Sequence, residues 1–274
     1  MIGSLSLSDI ILTNTQNEWR KPMKPEKVLI TGMSGLIGGV VRSRLEGKCA
    51  LSALNRRDVP GVQCHWADIA DLEAIQPAFE GVDVVVHLAA IARGDATWEE
   101  VLKHNLTGTY NVFEASRRAG VKRIIYASSG STISGCEQEF PYNVLAAGHY
   151  DEAPDTWQKL THESPTYPSG LYGCSKVWGE ALARHFSDAH GISMICLRIG
   201  AVNRENRPVQ PRTFSVWCSQ RDIAQMVEKC VEAPDSVKFD IFFAVSNNKW
   251  SYRDVSHARE VVGFEPQDVA EDYR

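Results

Sequence analysis

Several features are missing from this sequence, and each absence narrows what the protein can be. No apolar run approaches the roughly 18–20 residues that a membrane-spanning helix needs. The first residues contain neither a basic segment nor a small-residue cleavage site, so we expect no signal peptide. The seven cysteines are odd in number and include no CxxC pair. That pattern favours free thiols in a reducing cytoplasm over disulfides or a metal site.

The chain also lacks an excess of basic residues. It carries 29 Lys and Arg against 34 Asp and Glu, a formal net charge of −5, which argues against a nucleic-acid or anionic-membrane partner. The hydrophobic share of 43% and the length of 274 residues suffice for one domain with a full core. We therefore expect a soluble, cytoplasmic protein whose partner is a small molecule.

From Lys27 onward, short aliphatic runs alternate with longer helical patterns. The runs predict strands at 27–32, 49–55, 83–89, 122–129, 192–200 and 238–245. The helical patterns cover 36–47, 70–80, 97–119, 170–190 and 220–232. Near-continuous apolar strands that alternate with helices predict an α/β fold, a doubly wound parallel sheet (Rossmann fold). In such a sheet the ligand crevice lies at the carboxyl ends of the strands.

Two segments fall outside this alternation. Residues 1–25 are predicted to be an N-terminal extension, followed over 26–274 by the Rossmann-type domain with a small C-terminal substrate-binding part. Residues 136–168 are rich in Pro, Tyr, Glu and Asp and show no clean period. So long a loop in a compact domain is usually functional or disordered. We expect it to form a lid over the substrate side of the crevice, with a surface excursion or a dimer contact as the alternatives.

A glycine-rich turn follows the first predicted strand directly and opens the first helix. Gly32 permits a tight turn, Gly35 lets the backbone approach a pyrophosphate, and Gly38 lets the helix pack closely on the strand. The free N–H groups at the helix N-terminus then favour bound phosphates. The turn is therefore predicted to bind a dinucleotide through the following residues: Gly32, Ser34, Gly35, Leu36, Ile37 and Gly38.

The residue that ends the second strand bears on the choice between NAD and NADP. A carboxylate there binds the ribose 2′-hydroxyl of NAD, whereas arginine accommodates the 2′-phosphate of NADP. This chain has Asn55 at that position, followed by Arg56 and Arg57. Two guanidiniums and no acid favour NADP, with NAD still possible.

The segment Tyr172-Gly-Cys-Ser-Lys176 places a phenol and an ammonium on one face of a helix. A cation beside a tyrosine favours the phenolate and lowers its pKa, which makes the phenol a usable acid–base group. At the end of the strand over 122–129, a hydroxyl can orient the substrate oxygen. We predict Ser129 for this role, with Ser131 as the alternative. The catalytic set is then Ser129, Tyr172 and Lys176.

Thr31-Gly32-xx-Gly35-xx-Gly38 and Tyr172-xxx-Lys176, in this order, resemble the extended short-chain dehydrogenase/reductases of the NAD-dependent epimerase/dehydratase type. Among these, Leu197-Arg-Ile-Gly200 and the stretch from Arg212 to Asp222 resemble uronate dehydrogenases. Uronate dehydrogenases oxidise a hexuronic acid at C1 to an aldarolactone using NAD. The resemblance therefore implies an NAD(P)-dependent oxidoreductase acting on a sugar, a sugar acid or a related alcohol.

The resemblance also implies roles for further residues. The Asp68 carboxylate would accept a hydrogen bond from the adenine, and Asn105 would tie neighbouring backbone near the active site. Arg212 would hold a uronate carboxylate, in a substrate set with Ser129, Ser131 and Tyr172. A homodimer through the helices over 97–119 and 170–190 is implied as well. The remaining implied cofactor contacts are Ile69, Leu88, Ala89, Ala90 and Ile199, beside Tyr172 and Lys176.

Three positions depart from the uronate dehydrogenase pattern. Ala92 and Ala201 stand where those enzymes have serine, and Gly130 stands where they have asparagine. The segment between Ser129 and Tyr172 is also longer and adds aromatic residues. Fewer hydroxyls and a larger loop suggest a different or bulkier substrate. The alternatives to a dehydrogenase are a sugar epimerase or dehydratase that holds its cofactor tightly, or a non-catalytic dinucleotide sensor.

Overall fold

The computed structural model describes residues 22–274, so most of the predicted extension over 1–25 lies outside the described residues. Within the described part, seven strands form one sheet: β1 (Lys27–Thr31), β2 (Ala50–Asn55), β3 (Gln63–Trp66), β4 (Val84–His87), β5 (Arg123–Ser129), β6 (Ser193–Ile199) and β7 (Phe239–Ala244). Every pair is parallel, in the order β3-β2-β1-β4-β5-β6-β7. The predicted doubly wound parallel sheet is confirmed. Because the strand order reverses between β1 and β4, the crevice opens there.

Helices cover both faces of the sheet. They are α1 (Leu36–Leu45), α2 (Leu72–Ile75), α3 (Trp98–Glu100), α4 (Gly108–Ala119), α5 (Tyr142–Ala147), α6 (Leu171–His190), α7 (Thr213–Val216), α8 (Gln220–Val231) and α9 (Ser256–Val262). One buried cluster joins α1, α8 and one face of the sheet, and another joins α4, α6 and the opposite face. None of the helices in residues 22–274 combines the length and apolarity that crossing a bilayer requires.

Strand β3 was not predicted, because its sequence carries no continuous apolar run. It is one of the two edge strands of the sheet, and Trp66 at its end is 67% exposed. An edge strand has only one paired neighbour and needs little burial, so its composition resembles that of a loop.

The helical stretch predicted over 97–119 is continuous but changes type. A capping box at Thr97 starts α3, a π-helical segment (Val101–Thr107) follows, and α4 ends at Gly120 with φ of 74°. Such wide turns occur often at functional sites. Here the π-helical segment carries Asn105.

The segment over 136–168 is docked against the C-terminal part of the chain. Leu160 pairs with Arg253 in an isolated bridge, and its N–H donates to the Tyr252 carbonyl at 2.7 Å. Tyr150 stacks on Trp250 with ring centres 4.1 Å apart. A third apolar cluster lies beneath the segment and includes Leu145 and Leu160. Tyr142, Tyr150 and Trp157 of the segment therefore pack against aromatic residues of the C-terminal part.

Candidate active site

Two adjoining cavities lie at the carboxyl edge of the sheet. One of about 370 Å³ extends toward the ends of β2 and β3, and one of about 400 Å³ extends toward β5 and α6. Both are lined by Gly32, Gly35, Leu88 and Ala90, which makes them two ends of one cleft. The cleft crosses the point where the strand order reverses, the position expected for a dinucleotide.

The glycine turn leaves no room for side chains. Gly32 has φ of +74°, and a β carbon there would lie 2.9 Å from the Ala89 nitrogen. A β carbon at Gly38 would lie 2.5 Å from the Gly32 carbonyl oxygen. The packing therefore requires glycine at both positions, and α1 begins at the cleft with no side-chain cap on its free N–H groups. This cradle fits the phosphates of a dinucleotide.

The smaller cavity is lined by nitrogen donors at the end of β2. Asn55 is 5% exposed, and its Nδ2 is buried without a hydrogen-bond partner in the protein. Arg56 and Arg57 line the same cavity. Arg204, on the loop after β6, lines it as well and was not found from the sequence. The cavity thus holds three guanidiniums and an unpaired amide.

Asp68 lines this cavity as well. Its carboxylate accepts from the Ala70 N–H at 3.1 Å and pairs with Lys103 at 3.1 Å. Burial raises the pKa of Asp68, but these two hydrogen bonds outweigh it and hold the pKa below its usual value. The carboxylate is therefore ionised at neutral pH and can accept a hydrogen bond from an adenine amino group.

The larger cavity brings the glycine turn and the predicted catalytic side chains together. Its lining includes Ser129, Tyr172 and Lys176 with Ile199. Ser131 does not line it; the Ser131 N–H instead donates to Ser129 Oγ at 3.1 Å. The two alanines that replace serines, Ala92 and Ala201, do line it. The wall near Tyr172 is consequently poorer in hydroxyls than the uronate dehydrogenase pattern implies.

Electrostatics at Tyr172 and Lys176 differ from the expectation. Burial raises the pKa of Tyr172, and a hydrogen-bonding interaction with the Ser129 side chain only opposes that rise. The expected lowering by Lys176 is wrong for this structure, because its Nζ lies 5.5 Å from the ring centre of Tyr172 and donates instead to the Ala127 carbonyl at 2.7 Å. Burial in turn lowers the pKa of Lys176 to about 7.

Behind the cleft, His87 at the end of β4 is held between two threonines. Its Nδ1 lies 2.8 Å from Thr31 Oγ1 and its Nε2 lies 3.2 Å from Thr109 Oγ1. Burial and the nearby Lys176 charge lower the pKa of His87 to about 3, so the ring is neutral. A neutral imidazole with both nitrogens bonded is a structural residue here.

Asn105 lies outside both cavities but fixes their walls. Its Oδ1 accepts from the Ile91 N–H at 2.8 Å, and its Nδ2 donates to the Ile91 carbonyl at 2.9 Å and to Ser175 Oγ at 3.1 Å. It therefore ties the loop after β4 to α6 beside Tyr172. This is the backbone-tying role that the resemblance implies.

Arg212 is bound within the protein. Its Nε and Nη2 donate to the two carboxylate oxygens of Glu137 at 2.6 and 2.7 Å, and the Tyr252 hydroxyl donates to Glu137 Oε1 at 2.6 Å. Burial raises the pKa of Glu137, but the Arg212 guanidinium outweighs it and keeps the carboxylate ionised. Arg212 lines neither cavity.

The structure thus collects most of the predicted residues in one cleft and leaves three elsewhere. Ser131, Asn105 and Arg212 lie outside the cavity linings. Residues 22–274 contain no group of three or more His, Cys, Asp or Glu side chains arranged for a metal. The lining residues outside the predicted site set are Leu54, Ala67, Ile91, Ala92, His104, Ala127, Ser128, Gly200, Ala201, Val202 and Arg204. Ala92 and Ala201 were noted from the sequence only as departures from the uronate dehydrogenase pattern. Ile91, His104 and Arg204 stand in no motif, so only the fold identifies them.

Comparison with known proteins supports the same interpretation. Residues 28–262 match the model of the NAD dependent epimerase/dehydratase family. A uronate dehydrogenase from Agrobacterium fabrum is 34% identical over 254 residues, covering 91% of this chain and 87% of that protein. Two proteins from Haloferax volcanii are each 30% identical. One is an NAD-dependent glucose-6-phosphate dehydrogenase (90% of this chain, 95% of that protein). The other is an L-arabinose 1-dehydrogenase (NAD(P)(+)) (88% and 96%).

Among solved structures, a tyrosine-to-alanine mutant of uronate dehydrogenase from Agrobacterium tumefaciens, in complex with NAD, superposes with a TM-score of 0.77. It is 31% identical, and the match covers 91% of this chain and 87% of that chain. The predicted likeness to uronate dehydrogenases is confirmed by sequence and by structure.

Proposed function

The chain belongs to the NAD dependent epimerase/dehydratase family, and from that premise we propose that it is an NAD(P)-dependent dehydrogenase of a sugar, a sugar acid or a related alcohol. One observation carries the proposal. The cavity of about 400 Å³ is lined both by the glycine turn and by Ser129, Tyr172 and Lys176. A cofactor held by the turn and a substrate held at the tyrosine would therefore share one space.

The side chains divide the chemistry among them. Tyr172 Oη takes the proton of the substrate hydroxyl during oxidation and returns it during reduction. Ser129, whose hydroxyl interacts with the phenol, orients the substrate oxygen. Lys176 adds a hydrogen-bond donor on the cofactor side. A bound nicotinamide dinucleotide supplies the hydride acceptor.

NADP is our proposed preferred cofactor, with NAD as the alternative that the relatives' names favour. Arg56, Arg57 and Arg204 line the cavity at the end of β2, and Asn55 replaces the carboxylate that would select the ribose 2′-hydroxyl. A 2′-phosphate would meet guanidiniums there, and the one carboxylate of this lining, Asp68, is paired with Lys103.

Binding titrations of NADP and NAD test the cofactor preference. The double variant Arg56→Ala/Arg57→Ala should bind NADP at least about ten-fold more weakly and NAD nearly unchanged. Arg184→Ala, on the exposed face of α6, is the matched control and should alter neither affinity. Tighter binding of NAD by the wild type, or unchanged NADP binding by the double variant, contradicts the preference.

Two further parts of the proposal concern surfaces of the molecule. We propose that the segment over 136–168 covers the substrate side of the crevice as a lid, because it leaves the sheet after Ser129 and returns directly before Tyr172. A homodimer in the cytoplasm would bury Trp98, Leu102 and Tyr110, which are 50%, 41% and 44% exposed along one continuous helix. Light scattering of the purified chain measures the oligomeric state, and a monomer in wild type would end the dimer proposal.

A substrate screen tests the activity itself. Uronic acids, aldoses and polyols are offered with NAD or NADP, and the absorbance of the reduced cofactor is followed. We expect at least one sugar to be oxidised by the wild type and by Tyr110→Phe, a variant of an exposed tyrosine. Tyr172→Phe should be nearly inactive. No reduction of either cofactor with any compound would overturn the proposed function.

A further inference from the structure

A buried arginine, Arg253, contacts the residue that follows the predicted catalytic Ser129. Arg253, in the connection between β7 and α9, is 3% exposed. Its Nη2 donates to the Gly130 carbonyl at 3.4 Å. Its Nε and Nη1 are buried and have no hydrogen-bond partner in the protein. The guanidinium therefore lies against the residue that follows Ser129 and holds two donors without a partner in the protein.

The guanidinium occupies the space of a side chain at position 130. A β carbon on Gly130 would lie 2.2 Å from Nη1 of Arg253 and 2.3 Å from its Cζ. Gly130 directly follows Ser129, which lines the cavity together with Tyr172. Where the uronate dehydrogenase pattern has asparagine, this chain has no side chain and a guanidinium from the C-terminal part fills the place.

No carboxylate neutralises Arg253. The acidic group whose charge acts on it is Glu137, and both oxygens of that carboxylate are bound by Arg212. The cluster therefore combines two guanidiniums with one carboxylate and has one positive charge in excess. Burial lowers the pKa of Arg253, and the nearby positive charge of Arg212 acts in the same direction. An unpaired buried cation destabilises a fold, so a structural role does not account for it.

We propose that Arg253 binds an anionic group of the substrate, and that the enzyme acts on an acidic sugar in preference to a neutral one. The inference rests on the proposed dehydrogenase function and narrows its substrate class. The anionic group is a carboxylate or a phosphate, because both accept hydrogen bonds from a guanidinium in the same geometry. The Glu137–Arg212 pair holds Tyr252 beside this position and leaves the donors of Arg253 for the ligand.

The test compares acidic and neutral sugars on the wild type and on Arg253→Met. D-glucuronate and D-glucose 6-phosphate are the two acidic probes and separate carboxylate from phosphate, and D-glucose and L-arabinose are the neutral ones. We expect Arg253→Met to lower kcat/KM for the preferred acid by about 30-fold or more, mainly through KM. Values for neutral sugars should stay within about three-fold. Arg259→Met, an exposed arginine paired with Glu265, is the matched control and should change nothing.

Two measurements distinguish this role from a structural one. Arg253→Met should keep the cofactor affinity of the wild type and have an unfolding midpoint equal to or higher than that of the wild type, since it replaces an unpaired buried charge with an apolar chain. Gly130→Ala, which displaces the guanidinium, should lower kcat/KM for acidic substrates as Arg253→Met does, and the double variant Gly130→Ala/Arg253→Met should show no further loss. Equal losses for acidic and neutral sugars, or a lower midpoint in Arg253→Met, would show a structural arginine.

The outcomes also separate this inference from the proposed function. A wild type that oxidises neutral sugars as well as acidic ones keeps the dehydrogenase function and overturns the role of Arg253. If the wild type oxidises no sugar, the role of Arg253 is tested by measuring the binding of the same probes calorimetrically at saturating cofactor. Binding of an acid that disappears in Arg253→Met supports the anion site, and equal binding by the two proteins refutes it.

Discussion

Replacing Lys176 with methionine should stabilise the protein at neutral pH while removing activity. Lys176 is 3% exposed, and burial lowers its pKa from 10.5 to about 7. One pKa unit corresponds to about 1.4 kcal/mol, so this difference of about 3.5 costs about 5 kcal/mol when the ammonium is protonated. The substitution also removes the 2.7 Å hydrogen bond to the Ala127 carbonyl, at a loss of about 1–3 kcal/mol. The net gain in the free energy of unfolding is about 2–4 kcal/mol.

The pH dependence of this gain has a definite sign. The pKa of Lys176 is lower in the folded than in the unfolded chain, so the unfolded chain binds more protons between about pH 7 and pH 10.5. The wild type therefore gains stability as the pH rises through that window. Methionine does not titrate. The advantage of Lys176→Met is full below about pH 7 and disappears or reverses as the pH approaches about 10.

Urea unfolding followed by tryptophan fluorescence, at about pH 6.5, 8 and 9.5, measures this gain. Lys24→Met is the control, because Lys24 is exposed and should show no comparable gain. A methionine variant of Lys176 that is less stable than the wild type at neutral pH would refute the reasoning. So would a gain that stays constant between about pH 6.5 and 9.5.

Three other perturbations have defined outcomes. Tyr172→Phe should lower kcat by about 10²–10⁴ and leave the cofactor Kd unchanged, and retained turnover would contradict the acid–base role. Because burial raises the pKa of Tyr172, the rate of alcohol oxidation should keep rising with pH beyond the ordinary tyrosine value of about 10. Carbonyl reduction needs the phenol and should fall over the same range. Gly38→Ala should lower stability by about 1–3 kcal/mol or more, whereas Gly39→Ala, with nothing within 4 Å, should raise it by up to about 1 kcal/mol.

Local patterns predicted the parts of the molecule that depend on local physics. The glycine turn was found because a strand, three spaced glycines and a helix follow one another in the sequence. Tyr172 and Lys176 were found for the same reason, since their spacing places them on one helical face. The strands that are buried on both faces of the sheet, such as β4 and β5, were predicted because their sequences contain apolar runs.

The parts that were missed depend on contacts between distant residues. Gly130 and Arg253 are 123 positions apart, and no pattern near either residue indicates that one fills the space of the other. The pairing of Arg212 with Glu137, 75 positions away, is likewise not indicated by any local sequence pattern. The predicted direction of the Tyr172 pKa shift was wrong because burial, which a sequence does not reveal, raises this pKa and outweighs the hydrogen bond with Ser129.

The docking of the segment over 136–168 on residues 250–257 has a consequence for how the chain is made. The glycine turn and the end of β2 have been synthesised once β1, β2 and β4 have left the ribosome, whereas the segment over 136–168 must wait for Trp250 and Tyr252. A nascent chain can thus form the glycine turn early. The segment over 136–168 docks only after residues 250–257 have been synthesised, so the packing around Trp250 and Tyr252 is assembled after the turn.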